Sequence, residues 1–261
     1  MRAMDYLYTL SGFAVGAIVG LTGVGGGSLM TPLLVLLFGV HPATAVGTDL
    51  LYAALTKAGG TVAHGRKGHI DWAITGRLAL GSIPAATLTI IVLSQLPKGS
   101  NVLGQIISNG LGFALVLTAI AILFGRKLRE YAGQHEESAL RKCCLGKITV
   151  AVGAILGVLV TISSVGAGAL GVAALYFLYP KLSPIRIVGS DVAHAVPLTL
   201  VAGLGHWTMG GVDWSLLGSL LLGSLPGIWL GTQVSTKVPE HILRRLLATM
   251  LVVIGGKLIV A

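Results

Sequence analysis

The stretch GLTGVGGGS at residues 20–28 interrupts an apolar segment that runs from residue 10 to residue 38, and TISSVGAGA at residues 161–169 interrupts a second one, from 148 to 179. As straight helices, these segments would each be over about 40 Å long at 1.5 Å per residue, whereas the hydrocarbon core of a bilayer is about 30 Å thick. Glycine permits backbone turns that other residues resist. We therefore predict that each segment forms two short arms meeting at a break, as a broken helix or as a re-entrant hairpin.

The composition of the 261-residue chain is typical of a membrane protein. Hydrophobic residues make up 54% and charged residues only 10%, whereas about 25% of the residues of a soluble domain are charged. Further apolar runs, most of them near the ~20 residues that cross a bilayer, lie at 43–63, 72–93, 103–125, 187–205, 214–235 and 242–261. We predict an all-α polytopic membrane protein, and we exclude a cytosolic enzyme, a disordered chain and a disulfide-stapled secreted module.

The two interrupted segments belong to an internal duplication. At an offset of 142 residues, GTD at 47–49 aligns with GSD at 189–191, His64 with His206, IDW at 70–72 with VDW at 212–214, and LGSIP at 80–84 with LGSLP at 222–226. We predict an N-terminal transmembrane repeat over 1–125, a charged cytoplasmic linker over 126–147 and a C-terminal transmembrane repeat over 148–261. In each repeat, the glycine-interrupted segment precedes three transmembrane helices.

The distribution of basic residues indicates how the two repeats are oriented. Suppose that each interrupted segment begins and ends on the same side of the membrane, either as a re-entrant hairpin or as two full crossings. Then 14 of the 18 Lys and Arg residues lie on one side of the membrane. Only Arg2, Lys98 and Lys257 lie on the other side, and Lys57 falls inside a span. Because basic residues accumulate on the cytoplasmic side, this count favours inverted-topology repeats in the cell membrane, with a cytoplasmic central linker and both termini outside. Basic residues that flank spans do not form a nucleic-acid interface, so we expect no nucleic-acid partner.

Paired breaks in inverted repeats are typical of a transporter binding site near the membrane midplane. The arms that start near Ser28 and Ala169 would direct their free N–H groups into the site, which favours an anion. The alternative is that the glycines only permit close helix packing. The candidate substrate-binding residues are Gly25, Gly26, Gly27, Ser28, Thr48, Asp49, Ser163, Ser164, Gly166, Gly168, Ser190 and Asp191.

Two aspartates lie at matched positions inside the apolar runs. Asp49 and Asp191 each follow a hydroxyl residue near the start of a span. A carboxylate inside a membrane is costly and usually faces a polar interior, where it relays protons or binds ions. It could instead brace the structure by accepting hydrogen bonds from the free amides of the broken segment. Both interpretations place the pair beside the site.

Four further residues are candidates for coupling or gating. Lys57 aligns with Thr199 and therefore breaks the symmetry of the repeats; it could neutralise a bound anion or extend toward the interface. His194 could carry a proton or serve a structural role. Pro84 and Pro226 could act as hinges or only as kinks in paired spans. His64 and His206 are predicted to be interfacial anchors near tryptophans.

The elements GVGGGS (23–28), HPATAVGTDL (41–50), HGRKGHIDW (64–72) and LGSIPAA (80–86), with their counterparts in the second half, resemble the TauE/SafE sulfite exporter family. The resemblance extends from about Gly12 to the C-terminus. It implies ATP-independent transport of sulfite, organosulfonates, thiosulfate or other small sulfur-containing or carboxylate anions, with the glycine-rich breaks and the following spans forming the substrate region. The second half departs from the first, because SSVGAGA replaces GVGGGS, so the resemblance supports its share of the site less strongly.

The leading hypothesis is a secondary anion transporter of the cytoplasmic membrane, coupled to protons or another ion, that works by alternating access. The alternatives are a passive anion channel and a membrane enzyme or assembly factor. An enzyme would need a nucleophile–base pair or a metal cluster near one face, and interfacial placement explains His64, His69 and Asp71 more simply. We expect no cofactor and no metal. The expected partners are a small anion, the coupling ion and the lipid bilayer, and the chain could also form a homo-oligomer.

Overall fold

The structure, a computed structural model, describes residues 3–22, 27–96, 101–134, 139–234 and 240–260. These residues form ten α-helices: α1 (Ala3–Thr22), α2 (Gly27–Leu36), α3 (Pro42–Arg66), α4 (Trp72–Ser94), α5 (Asn101–Gln134), α6 (Ala139–Ser163), α7 (Ala169–Leu178), α8 (Pro184–Thr208), α9 (Trp214–Val234) and α10 (Glu240–Val260). The described residues contain no strand. The all-α prediction is therefore confirmed for the part of the chain that the structure describes.

Helices α1–α5 and α6–α10 follow the same order. The second and seventh helices have ten residues each, and α3 and α8 have 25 each. Proline in the first turn starts both 25-residue helices, at Pro42 and Pro184, where its missing N–H costs nothing. Aspartate caps the next pair, because Asp71 accepts from the Ile74 amide at 3.2 Å and Asp213 accepts from an α9 amide at 3.0 Å. The matched IDW and VDW sequences are thus helix starts.

The two halves pack against each other through helix pairs, and each pair contains one helix from each half. Helix α1 lies against α9, and its counterpart α6 lies against α4; α3 packs on α8 and α5 on α10. Gly47, near the start of α3, contacts the carbonyl of Gly211, just after α8. Gly189, near the start of α8, contacts the carbonyl of His69, just after α3. The counterpart helices α3 and α8 therefore run antiparallel along each other.

Glycines hold these helix pairs close together. A β-carbon on Gly223 of α9 would overlap the Thr9 carbonyl of α1, and one on Gly153 of α6 would overlap the Leu78 carbonyl of α4. Small residues let helix backbones approach closely inside a membrane. The same kind of contact recurs along both seams at Gly12, Gly16, Gly81, Gly157, Gly227 and Gly231. Close packing is therefore the role of the glycines along these two seams.

Substituting Gly223 with alanine is expected to destabilise the protein by about 1–3 kcal/mol, because the added methyl group would meet backbone atoms that cannot rotate away. Gly218, also in α9, has no neighbouring atom within 4 Å of the position that a methyl group would occupy. Gly218→Ala should therefore be neutral or stabilising by up to about 1 kcal/mol through helix propensity. Thermal unfolding of the purified variants in detergent compares them. Equal melting temperatures would contradict the close α1–α9 contact.

Five helices in the described part of the chain are long and apolar enough to cross a membrane: Trp72–Ser94, Val102–Gly125, Cys144–Ser163, Pro184–Thr208 and Trp214–Gly231. Helix α3 matches α8 in length and, like α8, contains charged residues, among them Asp49 and Lys57. Large apolar side chains point outward, such as Leu80 and its counterpart Leu222, which are 69% and 67% exposed. An outer surface of this kind requires lipid around it.

The predicted linker at 126–147 is largely helical. Helix α5 continues to Gln134 and α6 begins at Ala139. Charged residues are compatible with a helix where it extends beyond the apolar core of a membrane, so composition alone does not reveal these extensions. The predicted boundaries between the repeats stay a prediction.

Candidate functional site

The second glycine-rich stretch forms a break between α6 and α7. Helix α6 ends at Ser163, and α7 begins at Ala169. Gly166 and Gly168 have φ angles of 118° and 135°, which glycine adopts readily. The Ser163 hydroxyl donates to a carbonyl one turn earlier at 2.6 Å and accepts from the Val165 amide at 3.1 Å. The predicted interruption is confirmed here.

The first glycine-rich stretch separates α1 from α2. Helix α1 ends at Thr22, and α2 begins at Gly27, so Ser28 also lies in the first turn of α2. Gly25 and Gly26 lie outside the described residues. The predicted role of Gly25–Ser28 in substrate binding stays a prediction.

The N-terminus of α7 presents free amide groups at the break. The Gly171 amide donates to the Gly166 carbonyl at 3.2 Å and the Val172 amide donates to Gly168 at 3.0 Å. The amides of Ala169 and Leu170 have no hydrogen-bond acceptor among the described residues. Free amides at a helix N-terminus carry partial positive charge and favour anions.

Asp49 is fully buried and connects three elements. Its Oδ2 atom accepts a hydrogen bond from the Thr31 hydroxyl of α2 and another, at 3.0 Å, from the Ser164 hydroxyl in the second break. Ser164 has a φ angle of 58°, which is uncommon for a residue other than glycine. The bond to Asp49 therefore supports an unfavourable backbone conformation at the break.

Lys57 connects α3 to the same break. Its ammonium donates to the Ala167 carbonyl at 2.5 Å. It is also near enough to Asp49 and Asp191 to interact electrostatically with both. Thr199, its counterpart in α8, donates at 2.8 Å to a carbonyl of its own helix. The two halves therefore differ at this position in the structure as well as in the sequence, because Lys57 contacts the break whereas Thr199 bonds to its own helix.

Asp191 is as buried as Asp49 but has different surroundings. It lies beside Gly171 in the first turn of α7, where a β-carbon would overlap its Oδ1 atom. Neither of its carboxyl oxygens has a hydrogen-bond partner among the described residues. The two matched aspartates are therefore not equivalent.

His194 lies three residues after Asp191 on α8 and is fully buried. Its Nε2 atom is 2.8 Å from the Ser82 hydroxyl of α4, and its Nδ1 atom has no partner in the described part of the chain. Tyr52, at the counterpart position in α3, faces Ser224, the counterpart of Ser82. The His194–Ser82 contact therefore joins α8 to α4, whereas the Tyr52 hydroxyl has no hydrogen-bond partner among the described residues.

The hydroxyl residues before the two aspartates bind loops. The Asp213 amide donates to Thr48 Oγ1 at 3.0 Å, and the Asp71 amide donates to Ser190 Oγ at 2.8 Å. These two bonds are reciprocal between the halves. Both hydroxyls already accept a hydrogen bond from a loop amide. The predicted contacts of Thr48 and Ser190 with substrate stay a prediction.

His206 has surroundings that the sequence does not predict, whereas Pro84 and Pro226 lie in paired helices, as predicted. The sequence predicts His206 to be an interfacial anchor, but it is fully buried, and its Nε2 atom is 2.9 Å from the Thr161 carbonyl. The adjacent Trp207 is exposed, as expected of an interfacial residue, so the local sequence indicates an interface and does not reveal that His206 is buried. Pro84 and Pro226 lie inside α4 and α9 with outward side chains, and a hinge role for them stays a prediction.

These observations define a helical, multi-pass membrane protein with a buried polar cluster beside a helix break. The chain belongs to the TauE/SafE sulfite exporter family, because the family model described as "Sulfite exporter TauE/SafE" matches residues 8–258. The resemblance predicted from the sequence motifs is confirmed.

Similar proteins are named as transporters. The "Probable membrane transporter protein YjnA" of Bacillus subtilis (strain 168) is 39% identical over 260 residues, which cover 98% of this chain and 100% of that protein. A "Probable membrane transporter protein" of Xylella fastidiosa (strain 9a5c) is 29% identical over 248 residues, 94% of this chain and 91% of that protein. No solved structure matches the chain significantly. These names agree with a transporter rather than an enzyme, and none of them gives a substrate.

Proposed function

We propose that the chain is a secondary active transporter that moves small anions, with sulfite and organosulfonates as the first candidates, by alternating access. The observation that carries this proposal is the break between α6 and α7. There, the amides of Ala169 and Leu170 have no acceptor among the described residues. The Lys57 ammonium donates to the Ala167 carbonyl of the same break. Positive groups at an unwound segment suit an anionic substrate. The family description supports an oxidised sulfur anion as that substrate.

An inverted relation between the two halves supports alternating access. Counterpart helices α3 and α8 run antiparallel, as expected if the second half is inverted relative to the first. The reciprocal bonds of Thr48 and Ser190 to loops of the opposite half are sites where the contacts could exchange between two states. Rocking of one repeat against the other would open the site to each side in turn.

The basic residues support one orientation. Arg66, the last residue of α3, and Lys67, in the loop that follows, are both exposed, whereas the counterpart loop after α8 contains no lysine or arginine. Under the positive-inside rule, the first loop and the central linker are cytoplasmic and both termini are outside.

Flux measurements in proteoliposomes test the proposal. Purified protein should take up radiolabelled sulfite, thiosulfate or sulfoacetate with saturable kinetics, and an imposed pH gradient should increase the uptake of the transported anion. Empty liposomes provide the background. Flux that does not saturate and does not respond to any ion gradient would indicate a passive anion channel. Failure to transport any sulfur anion or small carboxylate would overturn the proposed function.

A further inference from the structure

Building on the proposed anion transport, we propose that Asp191 alone carries the coupling proton, while Asp49 stays ionised and balances the charge of Lys57. An anion then enters the site only together with a proton on Asp191. The two aspartates, matched in sequence, would have different tasks.

The hydrogen bonds of the two carboxyl groups differ. Asp49 accepts from the hydroxyls of Thr31 and Ser164, which stabilise a buried negative charge. Asp191 has no donor to either oxygen among the described residues. A buried carboxylate without donors is far more costly than a buried neutral carboxylic acid. The environment of Asp191 therefore favours the protonated form, and that of Asp49 favours the ionised form.

The charged groups that face Asp191 are few. Lys57 from α3 interacts with it, and His194 on its own helix is held by the neutral Ser82 hydroxyl. Helix α7 and the α6 segment 148–163 contain no Asp, Glu, Lys, Arg or His. Helix α4 contains one such residue, Arg77, and this side chain lies beside Gly146 of α6. Lys57 is thus the main opposite charge available to Asp191 in the described part of the chain.

The charge balance then links proton and anion. With both aspartates ionised, one lysine leaves the cluster with a net negative charge, which repels an anion. Protonation of Asp191 from water on the open side makes the cluster neutral, and the free α7 amides and Lys57 can then hold a monovalent anion. By linkage, a bound anion must strengthen proton binding to the same extent that the proton strengthens anion binding. Release on the other side returns both to water, so one monovalent anion and one proton move together without net charge.

The position of Lys57 also argues against sodium as the coupling ion. Carbonyls at unwound segments coordinate sodium in many transporters with broken helices. Here the Ala167 carbonyl of the break already accepts from the Lys57 ammonium. The Lys57 ammonium thus occupies the position at which a sodium ion would bind this carbonyl, so we expect transport without sodium.

The experiment compares Asp191→Asn with Asp49→Asn in proteoliposomes, using the sulfur anion that the unaltered protein transports. In the unaltered protein, with the membrane potential held at zero, a gradient of one pH unit should accumulate the anion about tenfold at a 1:1 ratio, independently of sodium. Asp191→Asn should keep exchange of labelled for unlabelled anion but lose accumulation driven by the pH gradient. Asp49→Asn should reduce exchange and accumulation together. Asp191→Ser replaces Asp191→Asn if the latter does not fold.

Infrared spectroscopy provides a readout that does not depend on transport. The unaltered protein should show the carbonyl band of a buried protonated carboxyl group, and this band should be missing in Asp191→Asn. The proposal is overturned if the band is absent from the unaltered protein or survives in Asp191→Asn, or if Asp191→Asn still accumulates the anion from a pH gradient. An absence of any flux from the unaltered protein would instead overturn the proposed function, and the infrared result would still decide the protonation of Asp191.

Discussion

Replacing Lys57 with glutamine is expected to lower anion uptake about 100-fold. The substitution removes the positive charge next to Asp49 and Asp191 and shortens the side chain that reaches the Ala167 carbonyl. Losing a hydrogen bond made by a charged group costs about 1.5–3 kcal/mol, and each 1.4 kcal/mol is tenfold. Initial uptake rates in proteoliposomes, normalised to reconstituted protein, measure the loss.

Two further variants show whether the charge is responsible. Lys57→Arg keeps the charge and should retain more uptake than Lys57→Gln. Thr199→Val alters the counterpart position in α8, where the hydroxyl bonds only to carbonyls of its own helix, and should leave uptake within about twofold. Uptake by Lys57→Gln at the level of the unaltered protein would show that the lysine is a structural link to the break and not part of the anion site.

The repeat makes much of the fold predictable from the sequence. The 142-residue offset that aligns GTD with GSD also relates the starts of α2 and α7, of α3 and α8, and of α4 and α9. Helix starts are set locally by proline, aspartate and glycine, so that sequence alone indicates them. The glycine spacings of the α1–α9 and α4–α6 seams are present in the sequence as well, but which helices they join depends on the tertiary arrangement.

The site is predictable in its residue types but not in its contacts. Asp49, Lys57, Asp191 and His194 all appear as polar residues within apolar runs, and the structure places all four in buried or partly buried positions. The different hydrogen-bond partners of the two aspartates are not predictable from the sequence, because Asp49 and Asp191 occupy equivalent positions in the two repeats. The donors Thr31 and Ser164 come from α2 and from the break, and Ser164 is 115 residues away from Asp49. Such long-range pairing is decided by packing.

The second large effect is expected from Gly171→Ala, which should abolish transport driven by a pH gradient in a protein that still folds. The glycine lies in the first turn of α7, and a methyl group there would overlap Oδ1 of Asp191. The carboxyl group must move away, because it ends a rotatable side chain whereas the added methyl group is attached directly to the α7 backbone. Accumulation of the anion in proteoliposomes under a pH gradient measures the loss, and gel filtration in detergent reports whether the variant is folded.

A double-mutant cycle identifies the clash as the cause. Overpacking of this kind destabilises a protein by about 1–3 kcal/mol, so Gly171→Ala should lower the melting temperature of the unaltered protein. In an Asp191→Ala background the overlapping oxygen is gone, and the same substitution should have almost no effect on stability. This dependence on the partner is the signature of a direct contact between the two residues. An equal loss of stability in both backgrounds would mean that Gly171 is needed by the backbone of α7 itself and that Asp191 does not lie against it.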